Sequence, residues 1–207
     1  MTQEQQKFCD IKNTTGYTVV GDDVDFLVKI DDTAKTILLQ FKETDSDIDW
    51  KCNFSILPCP LRLDNKVVWT TMGYAKEYKS AGNIPIDLFC ISVEEHPNYK
   101  VIIRGWSLGS ALCKIAARHF VLRTGKKIDE LTTYGDVKCW LNPFYSVKKY
   151  CNRIREYVYI NDIVTWCVPF YRRDVNCRVG GKFSIKGLLN TRHNHEYYEE
   201  YDYSKYE

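Results

Sequence analysis

The sequence predicts an α/β fold in one domain, with a mostly parallel central sheet flanked by helices. From residue 67 onward, short β-branched runs alternate with apolar segments of helical length, which is typical of parallel strands joined by helical crossovers. The chain has 207 residues, enough for one domain with its own core. No repeat or Pro/Gly-rich linker divides it. We therefore expect residues 1–207 to form a single domain.

Periodicity predicts the individual elements. Residues 25–30 and 36–41 are apolar runs separated by a polar turn, which indicates an antiparallel hairpin. Further strands are expected at residues 67–70, 100–104, 131–134 and 155–160, and helices at residues 84–95 (capped by Asn83) and 108–122. The prediction is completed by a helix at 142–151 and a hairpin around the VGGK sequence of 178–183. We expect the C-terminal tail to dock as a helix on which Tyr197 and Tyr201 stack, and a frayed acidic end is the alternative.

The composition excludes several classes of protein. A net charge of +2 argues against a protein that binds nucleic acid by neutralising phosphates. No apolar run approaches the roughly 20 residues that a membrane-spanning helix needs. The first ten residues are polar and lack an apolar signal core, and the nine cysteines include no C-x-x-C pair. We therefore expect reduced cysteines and a cytoplasmic protein.

The sequence GWSLG at residues 105–109 is the first chemical motif. G-x-S-x-G alone is weak, but here it follows the buried run KVIIR and opens an apolar helix. A serine at such a strand-to-helix turn, a nucleophile elbow, has a strained backbone, and the strand and helix pass too closely for side chains two residues away. The helix N-terminus also favours negative charge beside the serine. Ser107 is therefore the candidate nucleophile.

A serine nucleophile needs a histidine to accept its proton. Of the four histidines, His96 precedes the serine and His119 lies on the elbow helix itself, where it points elsewhere. His193 and His195 remain, and both come late in the chain, as the order serine, acid, histidine requires.

The acid that orients the histidine is expected just after a strand between the serine and the histidine. Asp162 follows the strand-like run at 155–160, and Asp136 and Asp174 are the alternatives. The oxyanion of the reaction needs two donors. One is the backbone N–H of Leu108, and the other is Thr44, which follows the run at 36–41 and offers an N–H and a hydroxyl. This chemistry needs no cofactor and no metal ion.

Taken in order, these motifs resemble the class 3 lipases, the fungal-type triacylglycerol lipase family. The matching pieces are FKET (41–44), DW (49–50), GY (73–74), GWSLGS (105–110), TYG (133–135), DIV (162–164) and HEYY (195–198). The resemblance runs from about residue 36 to the end. It implies an α/β-hydrolase fold of compact class 3 lipase type and a triad of Ser107, Asp162 and His195. Tyr198 gives the family's H-x-x-Y spacing to His195 rather than to His193.

The chain departs from the family pattern at four positions. The proline expected after the DIV sequence is displaced to Pro169, and the other three departures lie beside the oxyanion residue and in the elbow. Glu43 replaces a glycine beside the oxyanion residue, Trp106 replaces the elbow histidine, and Ser110 replaces the second glycine. A carboxylate aimed at the oxyanion would oppose its charge, so we expect Glu43 to point away. Residues 45–54 occupy the place of the family's mobile lid, and a fixed helix that seals the sheet edge is the alternative.

The expected function is serine-dependent hydrolysis of lipid esters, namely acylglycerols, through an acyl-enzyme. A phospholipase A1 or an esterase for small soluble esters is the first alternative. A non-catalytic binding or scaffold protein, with an oxyanion hole damaged by Glu43, is the second. Peripheral contact with a lipid surface is also expected. Residues 126–192 carry 13 Lys and Arg against 6 Asp and Glu, which would suit an anionic lipid.

Overall fold

The computed structural model describes residues 1–21, 24–42, 55–141, 146–168, 170–175, 177–180 and 182–206. The strands within these ranges are β1 (Thr18–Val20), β2 (Val24–Asp31), β3 (Thr36–Phe41), β4 (Pro58–Leu63), β5 (Lys66–Thr71), β6 (Lys100–Trp106), β7 (Ile128–Tyr134), β8 (Cys151–Tyr159) and β9 (Cys177–Val179). The helices are α1 (Gln3–Asn13), α2 (Met72–Ser80), α3 (Ile84–Glu95), α4 (Leu108–Thr124), α5 (Ile185–Leu188) and α6 (Thr191–Glu196), with 3₁₀ turns at Ile163–Trp166 and Tyr198–Glu200.

The predicted α/β fold, with a mostly parallel central sheet, is confirmed. In the described part of the chain, seven strands form one sheet in the order β1-β2-β3-β6-β7-β8-β9, and β4 pairs with β5 in a separate sheet. Within the seven-stranded sheet, the β1–β2 and β2–β3 pairs are antiparallel, and the pairs β3–β6, β6–β7, β7–β8 and β8–β9 are parallel. Because parallel strands end at the same edge of a sheet, the loops after β6, β7 and β8 lie together there.

Most of the predicted elements are confirmed. The hairpin of β2 and β3 has the predicted antiparallel pairing. Strands β5 and β7 and helices α3 and α4 contain the predicted ranges, and β8 covers residues 155–159 of the predicted 155–160. Strand β6 continues through Gly105 to Trp106 rather than stopping at Gly105. Asn83 lies at the N-cap of α3, but its side chain makes no capping hydrogen bond, and Pro85 lies at the second position of the helix.

Two predictions for the second half of the chain are wrong. Residues 148–150 form a turn and Cys151 opens β8, so no helix runs to residue 151; residues 142–145 of that prediction lie outside the described residues. Cys151 pairs with Ile128, which requires an extended backbone there. No strand returns after β9 in the described residues, so the VGGK hairpin is also wrong. The backbone beyond β9 is held by the Asn161 side chain, which accepts from Ser184 N–H at 2.9 Å.

The C-terminal tail docks as expected, but not as a helix carrying Tyr197 and Tyr201. Helix α6 ends at Glu196, before both tyrosines. Tyr198 is fully buried, and its hydroxyl accepts from Tyr159 N–H at 2.9 Å. Tyr201 stacks on Tyr159 with ring centroids 4.2 Å apart. Inserting Tyr198 into the core requires the chain to leave the helix, which separates the two tyrosines.

The sheet carries a different core on each face. Helices α2, α3 and α4 cover one face, and the aliphatic core lies beneath them. The other core is largely aromatic and lies against α1 and the tail. No helix in the described part of the chain is long and apolar enough to span a bilayer. The eight cysteines among the described residues are free thiols.

Helix α1 is absent from the sequence prediction, because only Phe8 and Ile11 give it an apolar stripe. It begins with a capping box in which Thr2 and Gln5 bond each other's backbone N–H groups. Phe8 is fully buried against Trp106, with ring centroids 5.4 Å apart. Gln5 donates through its side chain to the carbonyl oxygen of Glu199 at 2.9 Å. Helix α1 therefore holds the C-terminal tail against the sheet.

Replacing Phe8 with alanine is expected to lower the free energy of unfolding by about 3–5 kcal/mol, because the change leaves a cavity in the aromatic core. Urea unfolding measures the loss. Gln3→Ala is the matched control, since Gln3 lies on the exposed side of the same helix. Equal stability of the two variants would contradict the packing role of Phe8.

Candidate active site

Ser107 lies on a sharp turn between β6 and α4. Its backbone has φ 55° and ψ −122°, a conformation that residues other than glycine rarely adopt. The turn is fixed by Ser107 N–H, which donates to the carbonyl oxygen of Tyr134 at 3.0 Å, and by Ser110 N–H, which donates to Ser107 O at 2.9 Å. The predicted strand-to-helix elbow is therefore present in the structure.

The glycines on either side of the elbow leave no room for a side chain. A Cβ atom on Gly105 would lie 2.5 Å from the carbonyl oxygen of Gly109, and a Cβ atom on Gly109 would lie 2.6 Å from the carbonyl oxygen of Phe41. Both obstacles are backbone atoms, which cannot rotate aside. The close approach of α4 to β6 and β3 therefore explains the G-x-S-x-G pattern in steric terms.

The structure brings together the three residues predicted as a triad. His195 Nε2 lies 2.5 Å from Ser107 Oγ, and His195 Nδ1 lies 2.8 Å from Asp162 Oδ2. All three are at most 1% exposed. An ionised carboxylate only accepts hydrogen bonds, so Nδ1 carries the imidazole proton and Nε2 accepts from the serine hydroxyl. This geometry places an imidazole nitrogen within hydrogen-bond distance of the Ser107 hydroxyl.

Two further donors surround the Asp162 carboxylate. Val164 N–H donates to Oδ1 at 3.1 Å, and the Tyr198 hydroxyl donates to Oδ2 at 2.8 Å. Burial, reinforced by the Asp162 charge, raises the pKa of Tyr198 well above its ordinary value, so the phenol stays protonated as a donor. These hydrogen bonds offset the cost of burying the carboxylate and fix its orientation.

His195 is held from its backbone as well as from its ring. The indole N–H of Trp106 donates to the His195 carbonyl oxygen at 3.1 Å. A Cβ atom on Gly135, which has φ +54°, would lie 2.9 Å from His195 Cε1. His193, the alternative base, lies on the same helix α6, and its side chain is outside the described residues.

The alternative acids are engaged elsewhere. Asp136 pairs with Lys114 at 2.9 Å and with Arg173 at 3.2 Å. Asp174 accepts from the indole N–H of Trp140 at 3.1 Å. His119 contacts the Tyr78 hydroxyl, on the helix side of the sheet. Asp162 is therefore the one of the three predicted acids that bonds His195 in the described structure.

The predicted oxyanion donors are only partly described. Leu108 is the first residue of α4, a position whose N–H has no acceptor within its own helix. Thr44, Glu43 and the predicted lid at residues 45–54 lie outside the described residues.

A buried ionic cluster lies beneath the site, and the sequence pattern does not reveal it. Lys114 Nζ on α4 lies 2.9 Å from Asp136 and 3.5 Å from Glu156, and all three side chains are fully buried. Burial alone would lower the pKa of Lys114, but the two carboxylates raise it above its ordinary value. Burial and the Asp136 charge raise the pKa of Glu156 to about 8.

The comparison with protein families assigns the chain. The family described as Lipase (class 3) matches residues 38–171, which include Ser107 and Asp162. The chain belongs to the class 3 lipase family. The matched region of this class 3 lipase ends before His195. A comparison with curated proteins finds no significant match.

Solved structures of fungal lipases resemble this class 3 lipase in fold. The Rhizomucor miehei lipase propeptide complex is 23% identical, with a TM-score of 0.63 over 76% of this chain and 53% of that chain. Lipase II from Rhizopus niveus is 22% identical, with a TM-score of 0.65 over 80% of this chain and 64% of that one. A triacylglycerol lipase with a serine protease triad is 21% identical, with a TM-score of 0.67 over 79% and 64%. The chain thus spans 53–64% of the length of these enzymes.

Gly135→Ala is expected to displace the His195 ring, because the added methyl group would collide with it. Gly125→Ala is the matched control: Gly125 also has positive φ, +67°, but open space around it. Both variants should lose about 1–2 kcal/mol of unfolding free energy through the backbone strain. Only Gly135→Ala should shift the imidazole proton signals in NMR spectra. An unchanged His195 spectrum in that variant would contradict the packing.

Glu156 is expected to make the protein less stable as pH rises from 5 to 8. The folded protein keeps this carboxyl protonated up to about pH 8, whereas the unfolded chain releases the proton near the ordinary pKa of 4.5. The unfolded state therefore binds fewer protons, and the free energy of unfolding falls with pH by at most about 1.4 kcal/mol per unit from this group. Urea unfolding of Glu156→Gln should show a shallower fall, and the exposed control Glu94→Gln the wild-type fall. Equal slopes for wild type and Glu156→Gln would refute the assignment.

Proposed function

We propose that this class 3 lipase hydrolyses the carboxylic esters of lipids, acylglycerols above all, through an acyl-Ser107 intermediate. The observation that carries the proposal is the continuous hydrogen-bonded chain from Ser107 through His195 to Asp162. Family membership supports ester hydrolysis as the reaction. The description of one structural neighbour as a triacylglycerol lipase supports the substrate class.

Acylation begins with attack of Ser107 Oγ on the ester carbonyl carbon. The hydroxyl proton passes to His195 Nε2, which lies 2.5 Å away. The carbonyl oxygen becomes an oxyanion and accepts a hydrogen bond from Leu108 N–H at the start of α4, and from Thr44 as the second donor. When the bond to the leaving alcohol breaks, the imidazolium returns the proton to the alcohol oxygen, which leaves the acyl group on Ser107.

Deacylation runs the same chemistry with water. His195 takes a proton from a water molecule, whose oxygen attacks the acyl carbon. The tetrahedral intermediate uses the same oxyanion donors. The bond to Ser107 Oγ then breaks, the proton returns from His195 to that oxygen, and the fatty acid leaves.

Asp162 acts through the imidazole rather than on the substrate. Its carboxylate accepts from Nδ1, so the ring keeps the tautomer in which Nε2 is free to accept the serine proton. The negative charge also stabilises the imidazolium formed during each proton transfer. Tyr198 and Val164 act as positioning residues, because their hydrogen bonds keep the carboxylate aligned with His195.

A fluorophosphonate probe tests the nucleophile directly. We expect the wild type to be labelled at Ser107 and the Ser107→Ala variant to be unlabelled, with kcat on a short-chain ester reduced at least about 10⁴-fold. Ser92→Ala, at a partly exposed position of α3, is the matched control and should label like the wild type. Absence of labelling in the wild type, or labelling that survives Ser107→Ala, would favour the non-catalytic alternative.

The substrate class is tested separately. Acylglycerols, phosphatidylcholine and soluble esters of two to eighteen carbons are compared, with the soluble esters assayed below and above the concentration at which they aggregate. Preference for aggregated acylglycerol supports the proposal. Preference for phosphatidylcholine would indicate a phospholipase A1, and activity confined to monomeric esters would indicate a small-ester esterase.

A further inference from the structure

An apolar groove opens beside the acid end of the triad. It has a volume of about 360 Å³ and is lined by Ile160, Ile163, Trp166, Phe183 and Arg178. Ile163 is 41% exposed and Phe183 is 58% exposed. Contiguous apolar patches are uncommon on the surface of soluble proteins, and the larger ones mark binding sites.

The segment of residues 182–189 extends this apolar surface. Ile185 and Leu189 are 75% and 84% exposed, although they lie on and just after the short helix α5. Lys182 precedes Phe183 and Lys186 follows Ile185, and both lysines are also exposed. Exposed apolar side chains next to cationic ones are typical of segments that enter the interface of an anionic membrane. The apolar side chains reach the acyl region, and the lysine ammonium groups contact the lipid headgroups.

The charge around the groove favours an anionic partner. Residues 160–190 contain five basic and two acidic residues. The two acids are both engaged: Asp162 is fully buried in the triad, and Asp174 accepts from Trp140. Their side chains are therefore occupied by hydrogen bonds within the protein. The exposed cations Arg178, Lys182 and Lys186 give this stretch a positive charge.

The same segment is tied to the triad through two asparagines. Asn161, which precedes Asp162, accepts from Ser184 N–H at 2.9 Å through its side chain. Asn194, which precedes His195, donates to the carbonyl oxygens of Asn161 at 3.1 Å and Gly187 at 2.8 Å. The apolar segment, the acid loop and the histidine helix thus form one hydrogen-bonded unit. A lipid layer that contacts this segment would therefore lie close to Asp162 and His195, and His195 contacts Ser107.

We propose that the groove and residues 182–189, together called the docking face, bind the surface of an anionic phospholipid bilayer. The proposal rests on the proposed function, since it names the surface from which the ester substrate is taken. Apolar side chains enter the interface, and Lys182 and Lys186 bind the headgroup phosphates. A protein partner is the other occupant to distinguish, and the test below includes it.

Vesicle flotation in the Ser107→Ala background measures docking without hydrolysis. The Ser107→Ala protein, called the parent, is mixed with vesicles of phosphatidylcholine alone or with vesicles that also contain about one third phosphatidylglycerol. We expect binding to the anionic vesicles only, weakened by salt. Lys182→Gln/Lys186→Gln should lower the partition coefficient about 30-fold, at about 1 kcal/mol for each lysine. Phe183→Ser/Ile185→Ser should lower it at least about 10-fold through lost apolar burial.

Matched control variants carry the same changes on other surfaces. Lys126→Gln/Lys127→Gln lies in the exposed turn after α4, and Leu88→Ser/Ile91→Ser lies on the exposed side of α3. Both should bind vesicles like the parent, and thermal unfolding verifies that every variant is folded. Equal losses in the controls, or equal binding of the parent to neutral and anionic vesicles, would overturn the proposal.

The remaining outcomes also decide the question. If the parent binds neither kind of vesicle, the proposal that the docking face binds lipid is overturned. If that parent self-associates in gel filtration and Phe183→Ser abolishes the association, the face is a protein contact instead. Flotation does not depend on catalysis, so labelling of Ser107 without vesicle binding refutes only the docking proposal. Vesicle binding without labelling refutes only the proposed hydrolysis.

Discussion

The hydrogen bond between His195 and Asp162 joins helix α6 to the loop after β8, although the two residues are 33 positions apart in the chain. A carboxylate with no exposure would be costly to bury alone, and it persists because the imidazole, a phenol and a backbone N–H all donate to it. Removing this bond would leave the imidazole ring without its partner at Nδ1 and the carboxylate with one donor fewer. The position of His195 Nε2 over Ser107 follows from it.

Much of the second core serves to deliver His195 to that bond. Tyr198 ties the tail to the end of β8, and Phe8 on α1 packs against Trp106 and Tyr198. Trp106 then donates to the backbone of His195. The residue that replaces the family's elbow histidine thus has a structural role on the side of the base. Helix α1 contributes none of the three residues Ser107, Asp162 and His195, yet its burial holds the segment that follows His195.

The parts of the site that short-range sterics dictate could be predicted from the sequence. Gly105 and Gly109 predict the elbow, because backbone atoms occupy the space of their side chains. The end of a strand predicts the position of Asp162, and the spacing to Tyr198 selects His195, which the structure places against Asp162. Sequence spacing carried this information because parallel strands align their ends along one edge.

The parts that depend on long-range pairing could not be predicted. Helix α1 is polar on most of its surface, and its buried Glu4 is compensated by Arg155, 151 residues away. Lys114 and Asp136 look like ordinary solvated charges in the sequence, but they neutralise each other in the core. The pairing of β9 with β8 replaces a local hairpin by a distant parallel contact. No local pattern encodes such partners.

The rate at which a fluorophosphonate inactivates Asp162→Asn measures how far the reactivity of Ser107 depends on the hydrogen bond between His195 and Asp162. The variant keeps the size of the side chain but can donate to Nδ1, which favours the imidazole tautomer that cannot accept the serine proton. We expect the second-order rate constant for labelling of Ser107 to be about 10³–10⁴-fold lower than in the wild type, while the variant stays folded. Labelling of Asp162→Asn at the wild-type rate would contradict it.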